Sequence, residues 1–277
     1  MASSPLPPGD KIEAAFSGAF SKLALLHQQG AQGAVFRATA RDGSEVALKI
    51  YDANQVEERT RREVAAMRKL TRPTIVRLHS AGGVVIGSAN YRYIATPFIV
   101  GDSLNDRIAR GALSVDSAAQ ITIDITDAID ELWSHRIVHR DVKPANVIVK
   151  PDGRAVLIDL GVARHLDQKT LTVAGYTFGT PGYFAPEHLA GRPLSCRADV
   201  FSAGIVFQEM IIGQHPTRQR QELLSKGGLR TATVAPGVPM FVSRLIDEMV
   251  AKRAFDRPTP ARVRDVLRDY LKMKTGD

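Results

Sequence analysis

At about Gly101 the hydrophobic patterning of this chain changes period, and that change limits the folds open to it. Over residues 23–98 apolar residues come in short or alternating runs, Ala34-Val35-Phe36, Glu45-Val46-Ala47-Leu48-Lys49-Ile50 and Tyr91-Arg92-Tyr93-Ile94, which read as strands. One helix interrupts them. Over residues 54–70 strong helix formers dominate, and Glu63, Met67 and Leu70 recur at helical spacing. Beyond Gly101, residues 117–134, 197–212, 239–251 and 260–273 are long amphipathic segments, and a short extended pair, 146–149 and 155–158, turns at Pro151-Asp152-Gly153. This order predicts an α+β chain with a small sheet-rich lobe before a larger helical one, and a ligand site is expected in the cleft between two such lobes.

With 277 residues, 44% of them hydrophobic, the chain can bury a sizeable core, which excludes disorder of the whole. The formal charge of +8 would suit nucleic acid, anionic lipid or an acidic substrate. The basic residues, however, interleave with acids in Glu57-Glu58-Arg59-Thr60-Arg61-Arg62-Glu63 and Arg262-Val263-Arg264-Asp265, as on solvated helix faces, so no nucleic-acid partner is expected. The lone Cys196 excludes an internal disulfide and a cysteine zinc cage, and fits a reducing, cytoplasmic setting. Residues 1–10 lack the basic start and apolar stretch of a signal peptide, Ala2 excludes N-myristoylation, and the stretch reads as a flexible leader. The longest apolar region, Gly204-Ile205-Val206-Phe207 to Met210-Ile211-Ile212, is broken by Gln208 and Glu209 and is too short to span a bilayer. It reads as a buried helix.

Chemistry concentrates in His139-Arg140-Asp141-Val142-Lys143-Pro144-Ala145-Asn146. This short loop sets together a carboxylate able to accept or orient a hydroxyl proton (Asp141), a cation able to neutralise a transferring phosphoryl group (Lys143) and an amide oxygen able to bind Mg²⁺ (Asn146). Each residue alone reads as solvated surface; their joint spacing points to phosphoryl transfer.

With this loop, a glycine loop, Val46-Ala47-Leu48-Lys49, a helix acid, Asp159-Leu160-Gly161, Ala185-Pro186-Glu187 and a late Arg257 stand in an order that resembles the eukaryotic-type protein kinases over residues 23–273. The compact bacterial members are the most similar. The resemblance implies a bilobed protein-kinase fold. In it a flexible leader (1–14) precedes an antiparallel-sheet N-lobe with one helix (15–98), and a mostly helical C-lobe (99–273) carries an activation segment (159–187) before a short tail (274–277). Lys49 lies on a strand where an unpaired ammonium would be costly, and by resemblance it pairs with Glu63 and meets the α- and β-phosphates of ATP. Gly30 and Gly33, in Gln28-Gln29-Gly30-Ala31-Gln32-Gly33-Ala34-Val35, would let backbone amides approach those phosphates. Asp159, at a strand end, would hold Mg²⁺, or Mn²⁺ in its place, together with Asn146.

By the same resemblance Val35, Ala47 and Ile148 would sandwich the adenine, Thr96 would be the gatekeeper, and Pro97, Phe98 and Ile99 would form the hinge, with the Ile99 amide as donor. Two positions depart from the family pattern: Gln28 replaces a glycine, and Leu160 replaces the usual phenylalanine. Lys143 suggests Ser/Thr acceptors, since tyrosine kinases of the family usually lack it, and Thr180 would organise Asp141 and Lys143. Glu187 and Arg257 would form a buried ion pair. Arg140 commonly pairs with a phosphate in the activation segment, which makes Thr170, Thr172 and Thr177 phosphorylation candidates. The expected function is Mg²⁺- and ATP-dependent phosphorylation of protein Ser/Thr, with autophosphorylation. A small-molecule phosphotransferase is a second reading, opposed by Lys143-Pro144 and Ala185-Pro186-Glu187. A pseudokinase scaffold or nucleotide sensor is a third, opposed by the retention of Lys49, Glu63, Asp141, Asn146 and Asp159.

Overall fold

The computed structural model describes residues 9–16, 18–28, 33–51, 57–160, 164–165 and 180–275. The chain divides into two compact units, Met1–Thr71 with Val76–Ile99, and Arg72–Ile75 with Val100–Asp277.

The first unit follows the order α1 (Gly9–Ala15), β1 (Phe20–Gln28), β2 (Ala34–Ala40), β3 (Glu45–Tyr51), α2 (Glu57–Met67), β4 (Ser80–Ile86) and β5 (Ala89–Pro97). Its strands form one antiparallel sheet in the order β1-β2-β3-β5-β4. The period of two along β2 and β3 decides the faces: Phe36, Ala38, Val46, Leu48 and Ile50 point into the core, while Val35, Ala47 and Lys49 lie on the other side, half-buried. Residues 9–14 fall in the stretch expected as a flexible leader and belong to α1 instead. Ile12 is fully buried, and Phe16 stands edge-on to Phe20 (5.1 Å) and Tyr93 (5.2 Å), which ties the helix to the sheet. Burying a side chain such as Ile12 contributes about 1.5–3 kcal/mol.

Gly33 enters β2 with φ +97, and a Cβ there would stand 2.0 Å from the Ile50 carbonyl oxygen of the neighbouring strand. Only glycine lets the two backbones approach this closely. Gly33→Ala is therefore expected to destabilise the unit by about 2–4 kcal/mol, from the left-handed backbone and the forced shift of β3. Urea denaturation checks this, and an unchanged midpoint would contradict it.

In the second unit, β6 (Asp102–Ser103), α3 (Leu104–Ala109), α4 (Val115–Ser134), β7 (Ile137–Val138), β8 (Val147–Val149), β9 (Ala155–Leu157) and β10 (Arg164–His165) come first. They are followed by α5 (Pro186–Leu189), α6 (Cys196–Ile212), α7 (Thr231–Val234), α8 (Met240–Met249) and α9 (Pro260–Thr275). Ser114 starts α4 by accepting the Ser117 amide, and Gly213, left-handed at φ 80, stops α6. α6 is buried on nearly every side and forms the centre, with α4 and α8 against it and α9 against α4. The expected extended pair is β8 and β9, in register Val147↔Leu157, with Gly153 at φ +81 in its turn. Residues 72–75 belong here because Ile75 bridges Leu157 and the Arg72 guanidinium bonds Asp127 at 2.8 Å on α4.

Candidate active site

The loop between β7 and β8 is shaped by a buried acid from α6. Asp199, in the first turn of α6, accepts the amides of His139 and Arg140, each at 2.8 Å. Burial pushes its carboxyl up, against the pull of neighbouring His139 and the two amide hydrogen bonds. Arg140 itself is left-handed at φ 71, a costly conformation that this double hydrogen bond holds in place. His139 is fully buried and accepts the Asp141 amide at Nδ1 (3.3 Å).

The next residues converge on one carboxylate. Asp141 Oδ2 lies 3.0 Å from Lys143 Nζ and accepts from Asn146 Nδ2 at 3.0 Å, and the same amide nitrogen donates to the Asp141 carbonyl at 2.8 Å. Lys143 Nζ donates to Thr180 Oγ1 at 2.5 Å. Asp141 Oδ1 is buried and has no hydrogen-bond partner among the described residues. A buried, unsatisfied acceptor is rare in native proteins. Pro144 opens the single 3-10 turn Pro144–Asn146 that returns Asn146 towards Asp141. The Asn146 carbonyl accepts the Ile158 amide at 2.8 Å, so Asp159 stands one residue beyond that hydrogen bond, just past the end of β9. Asp159 is left-handed at φ 62, a second strained non-glycine residue beside the same loop. Ile148 sits half-buried in β8, opposite Ser103 and Val156.

Downstream, Glu187 meets Arg257 through two parallel bonds of 2.6 and 2.8 Å. The Arg257 side chain is 0% exposed and also donates to the carbonyls of Ala251, Arg197 and Lys252, so every face of the guanidinium is occupied. Between Thr180 and Glu187, Tyr183 donates to Glu209 of α6 at 2.8 Å. Burial pushes the Glu209 carboxyl up to about 7. The folded chain therefore favours its acid form, a contribution to stability complete below the ordinary carboxylate range and lost as pH rises through about 7. Glu209→Gln keeps an acceptor for Tyr183 and removes this loss, so the variant should gain of order 2–3 kcal/mol on wild type between pH 5 and pH 8. Melting curves at the two pH values test this; parallel shifts in both proteins would contradict it.

Within the sheet unit, Val35 pairs Lys49, and Ala47 pairs Thr96, so these four residues share one face. Lys49 Nζ lies 5.2 Å from the Tyr51 ring centroid, and the Tyr51 hydroxyl donates to buried Glu63 at 2.6 Å. Pro97 ends β5, Phe98 donates its amide to the Glu45 carbonyl, and among the described residues the Ile99 amide has no backbone acceptor. Gly30, Thr170, Thr172 and Thr177 lie outside the described residues.

A protein kinase domain matches residues 28–270. The chain belongs to the protein kinase family. Its sheet unit and helical unit are the two lobes of the kinase fold. The probable serine/threonine-protein kinase PknB of Bifidobacterium longum is 30% identical over 260 residues, covering 86% of this chain and 37% of that protein. Serine/threonine-protein kinase PkaA of Streptomyces coelicolor is 31% identical over 83% of this chain and 46% of its own length. PknA of Mycobacterium tuberculosis is 30% identical over 74% of this chain and 49% of its own length. This kinase chain thus spans less than half the length of these curated relatives. Sequence reasoning missed Asp199 and Glu209. A signal existed for both, since an acid inside an otherwise apolar helix such as α6 must be there to meet a partner.

Proposed function

We propose that the chain is an ATP- and Mg²⁺-dependent protein kinase that transfers the γ-phosphoryl group to Ser and Thr hydroxyls of proteins. The observation that carries this is the Asp141 carboxylate. One oxygen is held by Lys143 and Asn146, and the other has no hydrogen-bond partner among the described residues, which leaves it to meet an incoming hydroxyl. Asp141 orients that hydroxyl and takes its proton. Lys143, held between Asp141 and Thr180, places a positive charge where the transferring phosphoryl group gathers negative charge. Asn146 and Asp159 supply hard oxygen donors of the kind Mg²⁺ prefers, and because the Asn146 amide nitrogen is committed to Asp141, its oxygen is left for the ion. When bound, Mg²⁺ would neutralise charge on the nucleotide phosphates. Lys49, supported by Tyr51 and Glu63, would take the α- and β-phosphates; Val35, Ala47, Ile148 and the hinge at Thr96, Pro97 and Ile99 would take the adenine.

Autophosphorylation at Thr170, Thr172 or Thr177 belongs to the same proposal. Radiolabelled ATP with a generic protein acceptor tests the whole: label with wild type and none with Asp159→Asn supports it. ATP binding without label in either protein would point to a scaffold.

A further inference from the structure

The acceptor side of this site is gripped by the loop that follows α6. His215, 6% exposed, accepts at Nδ1 from the amides of Thr217 (3.2 Å) and Gln219 (2.9 Å), which puts its proton on Nε2, the donor to the Gly182 carbonyl at 2.9 Å. Gln221 accepts from the amides of Gly182 (2.7 Å) and Phe184 (3.2 Å) and donates to the Phe184 carbonyl (3.1 Å). Tyr183, between them, stands edge-on to the His215 ring at 5.0 Å. The backbone touches as well: Gly182 has φ +98, and a Cβ on it would lie 3.1 Å from the Gln219 Cα. Arg218 (φ 51) and Gln219 (φ 60) are two successive left-handed non-glycine residues, strain that persists only where the surroundings over-determine it.

That strained turn presents Arg218 and Arg220 on either side of its contact with Gly182. Both are exposed, and among the described residues neither guanidinium has an ion pair. Charge is uneven here: residues 213–244 carry Arg218, Arg220, Lys226, Arg230 and Arg244 against one acid, Glu222, a net +4 of the chain's +8. Residues 64–101 are also acid-poor, with Arg68, Lys69, Arg72, Arg77 and Arg92 and no acid, but only the 213–244 run is joined to Gly182. We propose that the loop selects protein acceptors carrying acidic residues beside the phosphorylated hydroxyl. Arg218 and Arg220 meet the acceptor's carboxylates in planar, bidentate pairs, and His215 and Gln221 hold them against the segment that leads from Thr180. The inference rests on the kinase reading above.

Three peptides identical except for acidic, neutral or basic flanks around one Thr test it, with the full chain and the double variant Arg218→Glu/Arg220→Glu. Because exposed ion pairs are individually weak, wild type should prefer the acidic peptide over the basic one by about three- to tenfold in kcat/KM, a preference that shrinks with added salt. The ratio should invert in the double variant. His215→Ala, which loosens the loop, should bring the ratio towards one. A wild-type ratio near one, or the same ratio in wild type and double variant, overturns the inference alone. No transfer to any peptide, with ATP still bound, removes the kinase reading and this inference with it.

Discussion

Replacing Asp141 by Asn is expected to lower the rate of phosphoryl transfer by about 10²–10⁴-fold, the range for loss of a positioned general base. The substitution keeps the shape of the side chain and an oxygen for Lys143, so the fold should survive; Lys143 also retains Thr180. What is lost is the buried, unpartnered carboxylate oxygen proposed to receive the proton. Initial rates with saturating ATP, alongside a nucleotide-binding titration, separate the effect from damage to the sheet lobe. Lower kcat with ATP affinity within a few-fold of wild type is the expected pattern. Intact-mass measurement adds a second readout: wild type should carry added phosphate and the variant none. Equal rates in the two proteins would show that Asp141 is not the base.

Arg257→Ala should have the largest effect on stability. The guanidinium is fully buried, holds Glu187 with two bonds, satisfies three backbone carbonyls and lies 4.8 Å from the Phe201 ring. Truncation strands the Glu187 carboxylate and leaves those carbonyls without a donor, which costs about 3–5 kcal/mol for the broken pair alone. In a domain of this size that corresponds to a fall in Tm of about 6–20 °C. Arg257→Lys restores charge but not the planar fork, so it should recover only a minor part. Calorimetry or a dye-based melt decides; a fall of a degree or two would mean that the pair is dispensable to the helical lobe.

Much of this was legible before any coordinates. Periodicity found the long helices because α4, α8 and α9 each carry one apolar face, and it found β2 and β3 because their burial alternates. The spacing of Asp141, Lys143 and Asn146 announced a joint site because a single turn fixes their mutual distances. Other features depend on contacts between residues far apart in sequence. Asp199 acts on a loop some sixty residues earlier, and α1 exists only because Ile12 finds the sheet. Gly33 also meets the Ile50 carbonyl of the neighbouring strand, a constraint that no local pattern reveals. His215 and Gln221 sit in a stretch without periodicity, and only the folded chain brings them to Gly182.

The most direct test of the central claim is transfer from γ-labelled ATP to three peptides that differ only in carrying Ser, Thr or Ala at one position. The arrangement of Asp141, Lys143 and Thr180 predicts label on the Ser and Thr peptides and none on the Ala peptide. ATP bound by the protein with no label on any peptide, or equal label on all three, would contradict it.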